Sequence, residues 1–356
     1  MEVIKNYSLN NENAFKVSLK AKFFSKANSV EELQELTSNS IFKKNKHFIL
    51  GGGSNTLFTK DFDGIVIKTS FKGINVLKET KDEVIIEVGA GENWNGLVHY
   101  AVNNDFSGIE NLILIPGTVG AAPVQNIAAY GQNFEDVFYK LEAIDLSNGK
   151  MKVFDKRSCE FAYRTSFFKE KGENKYLVIK VTIKLSKNET INTTYHSRYE
   201  SIIGELKEFT QPPYNIRDIS KAVTRIRERK FPDWEKVGTA GSFFLNPVIT
   251  RKELEFIEKK TPGVQYYPVD KLSYPMPNDP TFDHSDHVKI AAGWLLEELG
   301  WKGKRIGQVG TSPNQSLVVI NYGTKKADDI LAFTKMMQED FYKAYKINLE
   351  PEVNII

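Results

Sequence analysis

The run GIENLILIPGTVGAAPVQNIAAYG at residues 108–131, in which Glu110 is the one charged residue, constrains this chain more than any other segment. Loops at the surface are rich in polar side chains, so a run of small and apolar residues this long must lie inside the fold or under a ligand. Two glycine turns precede it. Gly51-Gly52-Gly53-Ser54-Asn55 follows Phe48-Ile49-Leu50 and precedes Leu57-Phe58, which reads as strand, tight turn, strand. Val88-Gly89-Ala90-Gly91-Glu92-Asn93-Trp94 joins a β-branched strand at 83–88 to a predicted helix over 93–104, in which Leu97, Val98, Ala101 and Val102 recur at three- and four-residue spacing. Glycine turns expose backbone N–H groups that can cradle a phosphate. A hairpin needs glycine for the same conformational freedom, so the 51–53 turn alone leaves both readings open. The Walker lysine and hydroxyl are absent, which argues against a P-loop, and Trp94 fills the third glycine position of a Rossmann fingerprint. Combined with Ile115-Pro116-Gly117-Thr118-Val119-Gly120-Ala121-Ala122-Pro123, the two turns suit a long, flat, anionic ligand such as a dinucleotide cofactor.

Composition narrows the class of partner. With 48 Lys and Arg against 45 Asp and Glu, the net charge of +3 is too mild to argue for nucleic acid or an anionic membrane, so anion binding has to be local. The one cysteine, Cys159, allows neither an internal disulfide nor a thiolate metal site, which fits a reducing compartment. Residues 1–15 are too polar for a signal peptide, and no apolar run approaches the ~20 residues that span a bilayer, so a cytoplasmic protein without membrane insertion is expected. The chain of 356 residues has room for two domains. Predicted strands at 64–68, 140–145 and 176–185 complete the first. A second begins near residue 200, with a basic amphipathic helix at 218–229, a helix at 288–299, a strand at 316–321 and a helix at 327–345, an α+β pattern.

Five further segments are weighed as candidates for chemistry. Arg164, in Tyr163-Arg164-Thr165-Ser166-Phe167-Phe168-Lys169, is placed either to hold a carboxylate bidentately or to make a surface ion pair. Ser242, in Gly238-Thr239-Ala240-Gly241-Ser242-Phe243-Phe244, lacks the G-x-S-x-G context of a hydrolase nucleophile, and its hydroxyl is either functional or a turn component. Glu350 and Glu352 share a face if their segment is a strand. Arg225, Arg227, Arg229 and Lys230 read as a solvated helix face with one or two cations available for a phosphate. Asp283, His284, Asp286 and His287 read as a loop before a helix, and no metal site is expected.

Together, ILGGGSNTLF (49–58), VGAGENW (88–94), the 108–131 run, YRTSFFK (163–169), GTAGSFFLNP (238–247), AAGWLLEELGWKG (291–303) and LEPEV (349–353) resemble the UDP-N-acetylenolpyruvoylglucosamine reductases over nearly the whole chain. These flavoenzymes are also called UDP-N-acetylmuramate dehydrogenases, and the resemblance is to the form with a substrate-closing tyrosine loop. The resemblance implies an α+β protein: an FAD-binding domain of the vanillyl-alcohol oxidase (PCMH) type at 17–188, then an α+β substrate domain at 200–356 whose last strand returns to the active site. It implies reduction of UDP-N-acetyl-enolpyruvoylglucosamine to UDP-N-acetylmuramate through FAD, with NADPH as co-substrate, by a monomeric enzyme of peptidoglycan precursor synthesis. FAD would lie along Gly51, Gly52, Gly53, Ser54, Asn55, Pro116, Gly117, Thr118, Gly120 and Ala121. Arg164 would engage the substrate carboxylate, Ser242 would protonate C2 after hydride reaches C3, and Glu352 would share the centre, the carboxylic acid being the form compatible with an enolate. Tyr163, Lys230, Asn246 and Gln315 would contact substrate. Counting from the preceding strand selects Tyr195 as the closing tyrosine, while the local pattern fits Tyr199 as well. Asn354 stands where the family often has arginine. Two other readings remain: another oxidase of the same flavin-binding fold, and a flavin- or nucleotide-sugar-binding module without catalysis.

Overall fold

The computed structural model describes residues 2–188, 191–195, 200–269 and 282–356. Packing divides the chain into two compact units: Met1–Tyr7, Ala21–Gly52 and Phe62–Arg227 form one, and Ser8–Lys20, Gly53–Asp61 and Glu228–Ile356 form the other.

The first unit is built on two sheets. A five-stranded antiparallel sheet runs Lys150–Asp155, Phe138–Asp145, Tyr176–Ser186, Glu83–Gly89, Ile74–Glu79. Its middle strand, YLVIKVTIKLS, is apolar on both faces and buried along most of its length, whereas the edge strand Ile74–Glu79 is almost wholly exposed. The other sheet has the order Ile4–Ser8, Lys20–Ala27, Phe62–Thr69, His47–Leu50, and Phe62–Thr69 pairs in parallel with both its neighbours. The helix Trp94–Asn103 starts where expected: the Asn93 side chain caps it by accepting from the Gly96 N–H, and Trp94, Leu97, Val98, Ala101 and Val102 form its buried stripe. The Trp94 indole N–H donates to Leu112 O at 3.0 Å, so the bulk in the third glycine position anchors the 108–131 run to this helix.

The division near residue 200 is corrected by the packing. Ile202, Leu206, Ile219, Ala222, Val223 and Ile226 sit in the core of the first unit, so the helices Ile202–Lys207 and most of Ile216–Lys230 belong there rather than with the C-terminal residues. Conversely, residues 8–20 and 53–61 join the second unit, where Phe15, Val17 and Leu57 pack with Phe243 and Phe244.

The second unit is α+β, with helices Arg251–Lys260, Ala292–Glu298 and Ala327–Tyr345 over two three-stranded sheets. A reciprocal cap starts the first: the Thr250 hydroxyl accepts from the Glu253 N–H, and the Glu253 carboxylate accepts from the Thr250 N–H. The long helix occupies the expected 327–345. The helix expected over 288–299 is shorter, because His287–Ile290 is the central strand between Val248–Thr250 and Tyr266–Pro268, and helix begins at Ala292. His287 therefore opens a strand, not a helix cap. The strand expected at 316–321 is confined to Val319–Asn321, since Gln315 to Val318 forms a turn closed by the Val318 N–H on Gln315 O at 3.1 Å. No helix among the described residues is long and apolar enough to cross a membrane.

The turn at 51–53 does not close a hairpin. His47–Leu50 joins the parallel sheet of the first unit, and Thr56–Leu57 pairs in parallel with Asn354–Ile355 in the second.

Candidate active site

In the first unit, backbone meets backbone at the predicted cofactor segments. The Gly120 N–H donates to Ala90 O at 2.8 Å, the Val119 N–H to Glu92 O at 2.9 Å, and the Trp94 N–H to Gly117 O at 3.1 Å, so the 89–94 turn and the 117–120 turn interlock. A Cβ on Gly120 would lie 2.6 Å from the Ala90 Cβ, which excludes any side chain there. Gly51 and Gly52 abut the same segment: a Cβ on Gly52 would stand 2.9 Å from Gly117 Cα, and one on Gly51 would stand 3.0 Å from both the Thr118 hydroxyl and the Ala121 Cβ. The Thr118 Oγ1 is buried without a hydrogen-bond partner. A glycine-lined cradle with an orphaned buried hydroxyl fits a phosphate-bearing cofactor, since a buried polar atom needs a partner. These residues fit FAD.

The 108–131 run is inside the fold, as its composition requires. Ile109, Leu112, Ile113, Val119, Ala122 and Ile127 are core residues. Beyond it, Arg164 tips a tight turn in which Ala162 and Thr165 exchange backbone hydrogen bonds, and its guanidinium donates to Ala128 O at 2.8 Å and lies 5.6 Å from the Tyr163 ring. The buried Ser166 hydroxyl donates to Val124 O at 2.7 Å and the Asn126 amide to Ala162 O at 3.1 Å, which hold the Tyr163-Arg164 turn against residues 124–128. Leu114, Asn126, Tyr130 and Arg164 all have left-handed backbone, with φ of 58°, 44°, 51° and 55°. Non-glycine residues in that region are held by their surroundings at a cost, and clusters of them mark functional sites.

Tyr195 packs edge-to-face on Tyr130 with 4.9 Å between ring centroids. Tyr199 lies outside the described residues. Asn192 fixes the segment before Tyr195: its amide donates to Gly131 O at 2.8 Å, and its own carbonyl accepts from the Asn111 amide at 3.0 Å.

Arg227 was missed by the reading of its helix as a solvated cationic face. It is half-buried, donates to Leu114 O at 3.0 Å and lies 6.0 Å from the Tyr130 ring. Desolvation lowers the guanidinium from its ordinary value and raises the Tyr130 phenol, which Arg227 partly offsets. Its position in the helix, on the same stripe as Ile216, Ile219, Val223 and Ile226, was the available signal.

In the second unit three separate segments come together. Ser242 bridges Val318, and the Phe243 N–H donates to Leu317 O at 2.8 Å. On the other side Phe244 bridges Pro351, the Glu352 N–H donates to Phe243 O at 2.8 Å, and the Leu245 N–H donates to Glu350 O at 2.9 Å. Ser242 and Glu352 are thereby brought to neighbouring extended segments. Glu350 and Glu352 do not share a strand face: the terminal strand is Asn354–Ile355, Glu350 is exposed and Glu352 half-buried. Gly241, with φ of 77°, supplies the left-handed step into Ser242.

Asn246 and Gln315 meet the start of the helix Ala292–Glu298. The Asn246 Oδ1 accepts from the Ala292 N–H at 3.1 Å, and a Cβ on Gly293 would lie 2.6 Å from the Gln315 Oε1. Lys230 ends its helix beside Arg229, whose carbonyl accepts from the amide of Asn314, the neighbour of Gln315, at 2.7 Å. The Asn55 amide donates to Glu352 O at 3.1 Å, and the Asn55 carbonyl accepts from the Asn354 N–H at 3.0 Å.

Comparison with known proteins bears on both units. Residues 21–155 match a family model described as FAD binding domain, and residues 233–356 match one described as UDP-N-acetylenolpyruvoylglucosamine reductase, C-terminal domain. Among curated proteins, the UDP-N-acetylenolpyruvoylglucosamine reductase of Flavobacterium johnsoniae is 40% identical over 100% of both chains. That of Bacteroides fragilis is 35% identical over 99% of both. The crystal structure of UDP-N-acetylenolpyruvylglucosamine reductase from Thermus caldophilus superposes with a TM-score of 0.65 at 22% identity, covering 99% of this chain and 98% of that one, and shows the shared fold.

Proposed function

The chain belongs to the UDP-N-acetylenolpyruvoylglucosamine reductase family, an FAD-dependent oxidoreductase of peptidoglycan precursor synthesis, and from that premise we propose that Ser242, Glu352 and Arg164 carry its chemistry with NADPH as the reductant. When bound along Gly51, Gly52 and the 116–121 segment, FAD supplies hydride transfer between the nicotinamide and the enolpyruvyl group. The protein's own residues do the rest. Arrival of hydride at C3 pushes negative charge onto C2 and the carboxylate. Arg164 holds that carboxylate, and a preorganised cation of this kind contributes on the order of 3 kcal/mol to the transition state. Ser242 delivers a proton to C2; an alcohol is a weak acid, but an enolate carbon is basic enough to take its proton when the hydroxyl is aimed at it. Glu352 stands at the same centre as Ser242. Tyr163, Tyr195, Lys230, Asn246 and Gln315 are the residues assigned to binding the sugar nucleotide.

The observation that carries this reading is the backbone bond from the Glu352 N–H to Phe243 O at 2.8 Å, which sets Ser242 and Glu352 on neighbouring segments although 110 positions separate them (352 − 242). The test is the visible spectrum of the purified protein, taken alone, after anaerobic NADPH and after the enolpyruvyl sugar nucleotide. Flavin bands that bleach with NADPH and return with the sugar nucleotide support both half-reactions. Bands that do not bleach with NADPH remove it as the reductant, and bleached bands that do not return remove the substrate assignment.

A further inference from the structure

We propose that Asn55 is a positioning residue for Glu352, a role that rests on the reading of Glu352 as part of the reactive centre. The glycine turn made Asn55 a candidate for the phosphate cradle. Its side chain is instead committed to the C-terminal segment, donating from Nδ2 to Glu352 O at 3.1 Å across 297 positions of sequence. The Glu352 N–H is committed as well, to Phe243 O at 2.8 Å. Both backbone polar groups of Glu352 are thus pinned, one on each side of its Cα, and that fixes the direction in which its side chain leaves the backbone. The neighbouring ladder is too short to do this alone: Thr56–Leu57 and Asn354–Ile355 pair over two residues each, and Glu352 lies outside the paired stretch. The Asn55 carbonyl accepts from Asn354 at the start of that pairing, and its side-chain amide carries the contact beyond the paired stretch to Glu352. The job requires an amide donor at this length. An aspartate would set a carboxylate against the Glu352 carbonyl, and an alanine would leave that carbonyl to water. Misplacing a reacting group by about 1 Å costs on the order of a hundredfold in rate, so a loosened Glu352 backbone should appear in the step that uses Glu352.

The experiment uses FAD-saturated holoenzyme of Asn55→Ala and the isosteric Asn55→Asp, the latter carrying the test if the alanine variant does not fold. Stopped-flow absorbance follows flavin reduction by NADPH and flavin reoxidation by the enolpyruvyl sugar nucleotide, and hydrogen exchange follows the amides of residues 349–354. The expected result is reoxidation slowed at least tenfold more than reduction, with faster exchange at Glu352 and Asn354. In a Glu352→Gln background, the Asn55 substitution should add less than a threefold further loss, because residues acting through one group are non-additive. Weakened FAD affinity with undiminished reoxidation once FAD is saturating would overturn the proposal and return Asn55 to the cofactor cradle. Full additivity with Glu352→Gln would overturn it too. If Glu352→Gln alone leaves reoxidation intact, the role of Glu352 itself fails, and that outcome is distinct from both.

Discussion

The two units offer opposite kinds of candidate site. In the first, the 89–94 and 117–120 turns interlock through main-chain hydrogen bonds, and the surface offered to a cofactor is glycine backbone with one orphaned hydroxyl. In the second, three segments distant in sequence, around Ser242, Val318 and Glu352, lie edge to edge, and what they offer is side chains. A backbone cradle depends on the absence of side chains and recognises shape and charge. A side-chain centre depends on particular functional groups and performs proton transfer. The two should therefore fail differently, and separable failure is the means of testing the contrast.

The sharpest break is expected at Ser242. Ser242→Ala removes the proposed proton donor without touching the backbone bonds of Phe243, so flavin reduction by NADPH should persist while reoxidation by the enolpyruvyl substrate falls about a hundredfold or more. Stopped-flow absorbance reads both steps in one preparation. Equal loss in the two steps would mean that Ser242 supports the fold rather than the chemistry.

The same contrast explains what the sequence disclosed. The close backbone approaches were legible because their parts are local: glycines at 51–53, 89, 91, 117 and 120 announce them, and the charge-poor 108–131 run announces burial. The strands Glu83–Gly89, Phe138–Asp145 and Tyr176–Ser186 were legible for their buried apolar residues. The edge strands Ile74–Glu79 and Lys150–Asp155 were not, because an exposed edge buries too little to leave a pattern. In the second unit, no local spacing shows that 242–245 lies between 317–318 and 350–352; those pairings are non-local, and their motifs became interpretable only through resemblance. The transfer of 53–61 to the second unit was invisible for that reason: Thr56–Leu57 finds its partner at Asn354–Ile355, almost at the other end of the chain. Arg227 was misread because three neighbouring cations masked the helical stripe on which it falls.

The cradle should break at Gly120. A Cβ 2.6 Å from the Ala90 Cβ forces apart turns that are joined by main-chain bonds, an overpacking that costs about 1–3 kcal/mol. Gly120→Ala should therefore weaken FAD affinity about tenfold to a hundredfold, measured by fluorescence titration of the apoprotein. Reoxidation of the fraction that retains FAD should be close to wild type. A variant with unaltered FAD affinity would show that the interlocked turns are structural and that the cofactor lies elsewhere.

A smaller effect is expected at Arg164, where Arg164→Lys keeps the charge but loses the planar fork, one arm of which is held by Ala128 O. Turnover at saturating substrate should drop about tenfold, with reduction by NADPH far less affected. Full activity would reassign Arg164 to tethering the 124–128 segment.

The smallest expected effect sharpens the claim that the first unit's site rests on a dry interior. Glu110, the one charge in the 108–131 run, is 1% exposed; burial raises its carboxyl above the ordinary glutamate range, opposed by hydrogen bonds from backbone N–H groups, among them Gly108 at 2.6 Å. A carboxyl raised on folding binds its proton more tightly in the folded chain than in the unfolded one. Its contribution to stability is full below the ordinary glutamate value of about 4.3 and is lost as pH rises through the raised folded value. Glu110→Gln has no proton to lose and keeps a carbonyl for the Gly108 N–H. The melting temperature of Glu110→Gln relative to wild type should therefore rise between pH 4 and pH 8. Calorimetry at several pH values measures the difference directly, and the constant offset between the two proteins drops out. A difference that stays flat across that range would mean that Glu110 is solvated in the working protein and that the run around it is open to water.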